Sequence, residues 1–307
     1  MDKSWFVGVD RFQRDLKEFA RSVEVRYDAS VLEPILDALG DRVADTWPAV
    51  RTTTHPVPQR AVNVRLNNFA FAAQPARILR EAGLLSFTGH PIERVLAEVS
   101  ATLPVLWGVD IGVAAGVQKI WMLFPETIGI RQLLRFPAIP EAIHGHAEHL
   151  THYGDRVAIL GLDFLSHTMN VYSQVLAPGT LTGDDIRAAL AELDLVSATE
   201  DELRVLGQSF NIYRTFSWDS PRIQRVCFPV RCSRENFPTH LHPVLERFVD
   251  GAPYAGAGAQ RFNFYAAYGA DDRYYKVQAD YTSPDGATLP DRKTPEMIQA
   301  ATYPDGR

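Results

Sequence analysis

The amino-acid sequence predicts an α+β fold: a closed barrel of about ten antiparallel strands, built from five αββα repeats and ringed by outer helices. Three observations carry this reading. β-like segments come in adjacent pairs, as antiparallel hairpins produce. The pairs recur at roughly 50 to 57 residues, the signature of a repeated supersecondary unit. Between pairs lie stretches with apolar residues three and four positions apart, the pattern of amphipathic helices.

Taken in chain order, "VDRFQRDLKEFARSV" (9–23) supplies the first helix, and the first strand pair follows at 49–54 and 61–68. "GHPIERVLAEVSATL" (89–103) precedes 105–113 and 118–125, and "PEAIHGHAEHLTHYG" (140–154) precedes 157–163 and 167–174. "TGDDIRAALAEL" (182–193) leads to 209–217 and 222–230. "PTHLHPVLERFVDG" (238–251) leads to 261–268 and 273–281. The helix starts carry Asp, Thr or Pro, which satisfy or tolerate the free N–H groups of a first turn. Ten strands suffice to close the sheet and remove its edges. One barrel domain is expected over 1–285, then a tail over 286–307 that caps a barrel mouth or is partly disordered.

The chain has 307 residues, 46% hydrophobic and 22% charged, with a net charge of −6 and a pI near 5.9. That balance disfavours nucleic acid or an anionic membrane as a partner engaged through overall charge. No run of about 18 apolar residues occurs, and "MDKSWFVGVDRFQRDL" lacks a signal-peptide pattern, so a cytoplasmic monomer is expected. Cys227 and Cys232 are too few for a disulfide framework or a thiolate metal site and read as reduced packing residues.

Side chains alternate across a strand, so each strand divides into a face for the helices and a face for the lumen. In "DDRYYKVQADY" (271–281), Tyr275, Val277, Ala279 and Tyr281 share one face, while Tyr274, Lys276, Gln278 and Asp280 share the other. On an isolated strand the polar side would be solvated surface. In a helix-clad barrel it turns inward. The same parity places Asn63, Arg65 and Asn67 inside, then Lys119 and Trp121, then Thr168, Asn170 and Tyr172. Asn211, Tyr213, Thr215 and Ser217 follow, with Phe210, Ile212, Arg214 and Phe216 outward, and then Arg225 with Cys227 inward. Arg65, Lys119, Arg225 and Lys276 are therefore four cations from four hairpins aimed into one space, with Trp121, Tyr172 and Tyr213 nearby. Buried like charges are costly unless an anion compensates, so the cluster implies a polyanionic ligand beside an aromatic wall.

The chain resembles the microbial aromatic prenyltransferases of the ABBA type, whose fold is the PT barrel. The resemblance runs to about position 281 and rests on "TGHP", "VDIGVAAGVQKIWMLFP", "LDFLSHTMNVY", "SFNIYRTFSWDSPRIQRVCF" and "YYKVQADY", in that order. It implies transfer of an isoprenyl group, dimethylallyl or geranyl, from an allylic diphosphate to an electron-rich aromatic acceptor of secondary metabolism. Lys119, Asn170, Tyr213, Arg225 and Lys276 match family residues that hold the diphosphate, with Thr168 and Arg65 beside them. Lys119, Tyr213, Arg225 and Lys276 are the expected catalytic set. Trp121 and Tyr213 match aromatics along the prenyl chain, and Tyr172, Asn211, Gln278 and Asp280 are expected to line the prenyl and acceptor space. The alternative is a non-catalytic barrel that binds an aromatic or anionic metabolite.

Departures from the family sharpen the expectation about metal. Metal-dependent members carry an aspartate where this chain has Asn63, and Arg65 stands two residues on, as in metal-independent members. With four basic groups and no acid beside them, a magnesium ion would be repelled, so no cofactor is expected and Mg²⁺ should be dispensable. A strand lysine of some members is replaced by Ser166. His146, His149 and His152 in "HGHAEHLTH" are not HExxH and read as a solvated helix face. "AGAGA" (255–259) precedes a strand and is a loop, not a dinucleotide site. No DDxxD motif is present, which argues against the all-helical magnesium-cluster enzymes.

Overall fold

In the computed structural model, residues 8–174, 179–256 and 258–282 are described. The chain runs α1 (Val9–Ser22), α2 (Ala29–Leu39), β1 (Trp47–Thr53), β2 (Val62–Phe69), α3 (Pro75–Glu81), α4 (Pro91–Thr102), β3 (Leu106–Gly112) and β4 (Gly116–Gly129). It continues α5 (Ile130–Leu133), α6 (Glu141–Gly145), α7 (Ala147–His152), β5 (Arg156–Asp163), β6 (Thr168–Gln174), α8 (Gly183–Glu192) and α9 (Glu200–Leu206). The last elements are β7 (Asn211–Ser217), β8 (Arg225–Cys232), α10 (Pro243–Asp250), β9 (Phe262–Tyr268) and β10 (Arg273–Asp280). Each strand pairs antiparallel with its neighbours in sequence, and β1 pairs with β10, which closes the barrel. The tail over 286–307 lies outside the described residues.

Alternation sorts the apolar residues into two bodies. Outward-facing Val64, Ile120, Met122, Val171, Phe216, Val226, Phe264 and Val277 join the inner faces of the helices in one large core. Phe12, Leu16 and Phe19 of α1 belong to it, with Ile92 and Val95 of α4 and Leu245 and Phe248 of α10. At about 1.5–3 kcal/mol for each fully buried large side chain, this layer between sheet and helices is what stabilises the barrel. The second body lies in the lumen: Trp121, Leu123, Tyr172, Tyr213, Cys227, Tyr265, Ala267 and Tyr274.

Local chemistry sets the helix starts. Thr182 and Thr199 close capping boxes with Asp185 and Glu202. His90 and His242 each accept the N–H two residues on at Nδ1, with proline in the first turn, so both histidines act as neutral caps. The expected helix over 140–154 is instead the pair α6 and α7, broken at His146 (φ −109°, ψ 22°). His149 is not on a solvated face. It is 3% exposed, and burial, reinforced by the nearby Arg214, pushes its pKa down to about 3. Arg214 is outward-facing and fully buried, donating to Ser173 Oγ at 2.8 Å and to the Tyr153 carbonyl at 3.4 Å, and burial lowers its pKa to about 9.

Since helical crossovers join the successive hairpins, the hairpin turns gather at one end of the barrel and the crossovers at the other. Lys119, Asp163, Thr168, Ser217, Arg225 and Tyr274 lie toward the hairpin end. Leu123, Asn211, Arg231, Asn263 and Asp280 lie toward the crossover end.

Candidate active site

The hairpin half of the lumen holds five cations. Arg65 and Lys276 are buried where parity puts them, Lys119 and Arg225 are half-buried, and β1 adds Arg51, which faces Asn63 on one side and Gln278 on the other. Against them stand two aspartates. Asp110 of β3, fully buried, receives Arg51 Nη2 at 3.1 Å and Arg65 Nη2 at 3.4 Å, while Asp163 of β5 lies 2.8 Å from Lys119 Nζ. Burial would raise the Asp110 carboxyl, but Arg51, Arg65 and Lys119 outweigh it and hold it below the usual carboxylate range. Lys276 has no carboxylate partner among the described residues. It donates to Tyr213 OH at 2.6 Å, and burial, reinforced by Arg51, Arg225 and Lys119 against a smaller opposing effect of Cys227, pushes its ammonium well below the ordinary lysine value. The Nε–H groups of Arg51, Arg65 and Arg225 are buried with no hydrogen-bond partner among the described residues.

The aromatic wall comes next along the axis. Tyr172 and Tyr213 stack at 4.3 Å, and Trp121 meets Tyr172 edge-on at 5.3 Å. Arg65 lies over the indole of Trp121 at 4.2 Å, and Lys276 over the ring of Tyr213 at 5.2 Å. Arg65 also donates to Gln278 Oε1 at 3.1 Å, which accepts from Tyr265 OH as well. Asn170 is fixed by Thr215, whose hydroxyl donates to Oδ1 at 2.7 Å, and Thr168 shares a hydroxyl contact with Ser166 at 3.0 Å. Beyond the wall a cavity of about 470 Å³ opens toward the crossover end, lined by Leu123, Ile159 and Tyr172 below and by Asn67, Asn211 and Asp280 at the rim. Such a barrel can fix a polyanion at one end, an apolar chain along the rings and a flat polar molecule at the other.

The family described as "Aromatic prenyltransferase Orf2" matches residues 7–289. The chain belongs to that family. A "Furaquinocin biosynthesis prenyltransferase" of Streptomyces sp. (strain KO-3988) is 28% identical over 273 residues, 87% of this chain and 88% of the relative. A "Flaviolin linalyltransferase" of Streptomyces virginiae is 28% identical over 272 residues, 87% of this chain and 90% of the relative. Of solved structures, 6-dimethylallyltryptophan synthase from Micromonospora olivasterospora, in complex with DMASPP and Trp, has a TM-score of 0.61 at 13% identity, over 90% of this chain and 99% of that one. The 5-dimethylallyl tryptophan synthase from Streptomyces coelicolor has a TM-score of 0.59 at 15% identity, over 92% and 98%. At these identities the two structures speak for the fold, and the family match makes this barrel an aromatic prenyltransferase, not a non-catalytic binder.

In the prenyltransferase lumen, Arg65, Lys119, Thr168, Asn170, Tyr213, Arg225 and Lys276 lie on the inward parity of their strands. Arg65, Tyr172, Asn211, Gln278 and Asp280 line the cavity, and Trp121 meets Tyr172 beside it. The expectation of basic groups without an acid is corrected by Asp110 and Asp163. Parity would have found both, and Arg51 with them: Trp107, Val109 and Ile111 face the helices, so Asp110 must face in. Phe210 is also corrected. The strand begins at Asn211, so parity does not reach Phe210, which lines the cavity under Arg231 at 4.3 Å. Asp280 sits at the rim with Arg261 Nε at 3.5 Å. Among the described residues no group of three or more His, Cys, Asp or Glu could hold a metal ion.

Proposed function

We propose that the enzyme binds an allylic diphosphate with its oxygens among Arg51, Arg65, Lys119, Arg225 and Lys276 and transfers the isoprenyl group to an aromatic acceptor in the crossover-end cavity, without metal. The observation that carries this is the set of buried Nε–H groups on Arg51, Arg65 and Arg225 that have no partner among the described residues. A buried donor left unsatisfied costs about 1–3 kcal/mol, more when charged, so these N–H groups favour an anion as their partner. With Lys276 protonated beside the anion, five cations less two aspartates leave 5 − 2 = 3 positive charges, which matches the roughly three negative charges of a diphosphate. The protein's own charge then does what Mg²⁺ does elsewhere.

The cations over the rings give the reaction its order. Arg65 lies over Trp121 and Lys276 over Tyr213. Diphosphate oxygens draw both cations off, and the uncovered rings then face the allyl group. As the C1–O bond breaks, its electron pair leaves with diphosphate, held by preorganised charges that need no reorganisation. The positive allyl fragment gains about 0.5–2 kcal/mol from each ring face. A ring carbon of the acceptor supplies the pair for the new C–C bond and then loses its proton, for which the departing diphosphate is the base at hand, since Asp110 and Asp163 are committed to cations.

Labelled dimethylallyl and geranyl diphosphates offered with hydroxylated aromatics should give prenylated product in EDTA, with Mg²⁺ at most modestly stimulatory. The double change Asn63→Asp with Arg65→Ser should weaken metal-free activity and recover part of it with Mg²⁺. Complete loss in EDTA with recovery in Mg²⁺ by the wild type overturns the metal-free reading.

A further inference from the structure

Trp121 is the one large side chain of the aromatic wall flanked by glycine on both neighbouring strands: Gly108 of β3 and Gly161 of β5 stand directly opposite it. A Cβ at Gly161 would fall 2.7 Å from Cζ3, 3.0 Å from Cε3 and 3.2 Å from Cη2 of the indole. A Cβ at Gly108 would meet Trp121 Cβ at 3.1 Å and the Leu66 carbonyl at 3.3 Å. Neither glycine has a positive φ, so backbone freedom is not the reason for them. The missing side chain at Gly161 is a notch into which the indole leans. On the lumen side the ring has Arg65 at 4.2 Å and Tyr172 at 5.3 Å. Two positions toward the hairpin end lies Lys119, and two toward the crossover end lies Leu123, which lines the cavity. The indole thus stands at the passage between the cations and the cavity.

From this geometry we propose that Gly161, acting through Trp121, sets the length of the prenyl donor, a reading that rests on the donor site proposed above. A chain attached to diphosphate at the cations must run past the indole to reach the apolar lining. With glycine at 161 the ring lies back against β5 and the passage admits a second isoprene unit. Any side chain there leaves the ring no room on the strand side and drives it toward Arg65 and Tyr172, across the path. A five-carbon donor ends before this point and is affected less. Discrimination by apolar bulk in a pocket is typically about 10- to 200-fold, which bounds what the notch can do.

The test compares calorimetric affinities for the thiolodiphosphate analogues of the dimethylallyl and geranyl donors, alongside kcat/KM for the diphosphates. Gly161→Val should lower the geranyl-to-dimethylallyl ratio by about 10- to 100-fold, and Gly161→Ala by less. The double variant Gly161→Val with Trp121→Leu should bring the ratio back, because the displaced wall is gone. Should the valine variant not fold, Gly161→Ala and Trp121→Phe decide, with opposite signs expected. A folded Gly161 variant with the wild-type ratio, or a double variant that does not recover it, overturns the proposal. Failure of the wild type to bind either analogue removes the donor site itself, whereas binding of both with unaltered selectivity removes only the role of Gly161.

Discussion

Replacing Asp110 by asparagine separates the acids of the lumen from its cations. The side chain keeps its shape and loses its charge while fully buried between Arg51 at 3.1 Å and Arg65 at 3.4 Å. Five cations then face one aspartate. Removing one partner of a buried ion pair costs about 3–5 kcal/mol, because the other is left uncompensated. For 307 residues, an unfolding entropy of about 2.1 cal/mol/K per residue gives about 0.6 kcal/mol/K, so Asp110→Asn should melt about 5–8 °C below the wild type. Inorganic pyrophosphate restores the missing charge. At a hundred times its Kd it stabilises the wild type by about 2.7 kcal/mol, and it should stabilise the variant more, since Arg51 and Arg65 are no longer shared with a carboxylate. The assay is thermal unfolding of both proteins in EDTA, with and without pyrophosphate, after circular dichroism has verified the fold. The gap in melting temperature should narrow when pyrophosphate is present. A gap that pyrophosphate leaves unaltered, or a variant that melts with the wild type, refutes the placing of the anion at this cluster.

Lys119→Ala, Arg225→Ala and Lys276→Ala should each lower turnover by about 10²-fold or more with the fold intact, as loss of a preorganised charge does; full activity in Lys119→Ala and Arg225→Ala would move the diphosphate elsewhere. Stability should fall as pH drops through the histidine range, because the His149 pKa in the folded protein, about 3, lies below the unfolded value of about 6.5. Glu192 approaches Nδ1 to 3.2 Å but is 47% exposed and screened, so burial prevails. The neutral ring's contribution is complete above about pH 6.5, and about 2 kcal/mol of it is gone at pH 5. His149→Phe should flatten the loss of stability between pH 7 and 5 measured by urea unfolding; an unaltered slope would show that another group carries it.

Parity was the strongest signal in the sequence because a barrel gives it two apolar tests at once. Ile120 and Met122 had to meet helices, so Lys119 and Trp121 had to face in. The same logic was available for Arg51 and Asp110, but "AVRTTT" and "LWGVDIG" look less amphipathic, since glycine and alanine share their inner faces with the charged residue. The helices α3 and α9, each seven residues long, are too short for periodicity to reveal, and Pro34 inside α2 disguises a third. Nor could the sequence tell which cation answers which acid. The Asp110 and Asp163 pairings depend on register across strands, and a shift of one residue would exchange the faces. The role of Gly161 was invisible for a simpler reason: a residue without a side chain acts only through the neighbour it makes room for.

The barrel is closed by its first and last strands, which pair Thr53 with Lys276 across 276 − 53 = 223 positions of chain. During synthesis, therefore, nine strands emerge from the ribosome before the seam can be made. Until then β1 and β9 are both open edges, the kind of surface that recruits other chains. Lys276 and Gln278, which bind Tyr213 and Arg65 across the lumen, also arrive last. A nascent chain stopped before β10 thus lacks the seam and the final cation together, so closure of the barrel and completion of the cation cluster are one event. Folding of this long-range kind is slow, and a chaperone that shields β1 while the remainder is made would be acting on the yield of active enzyme directly.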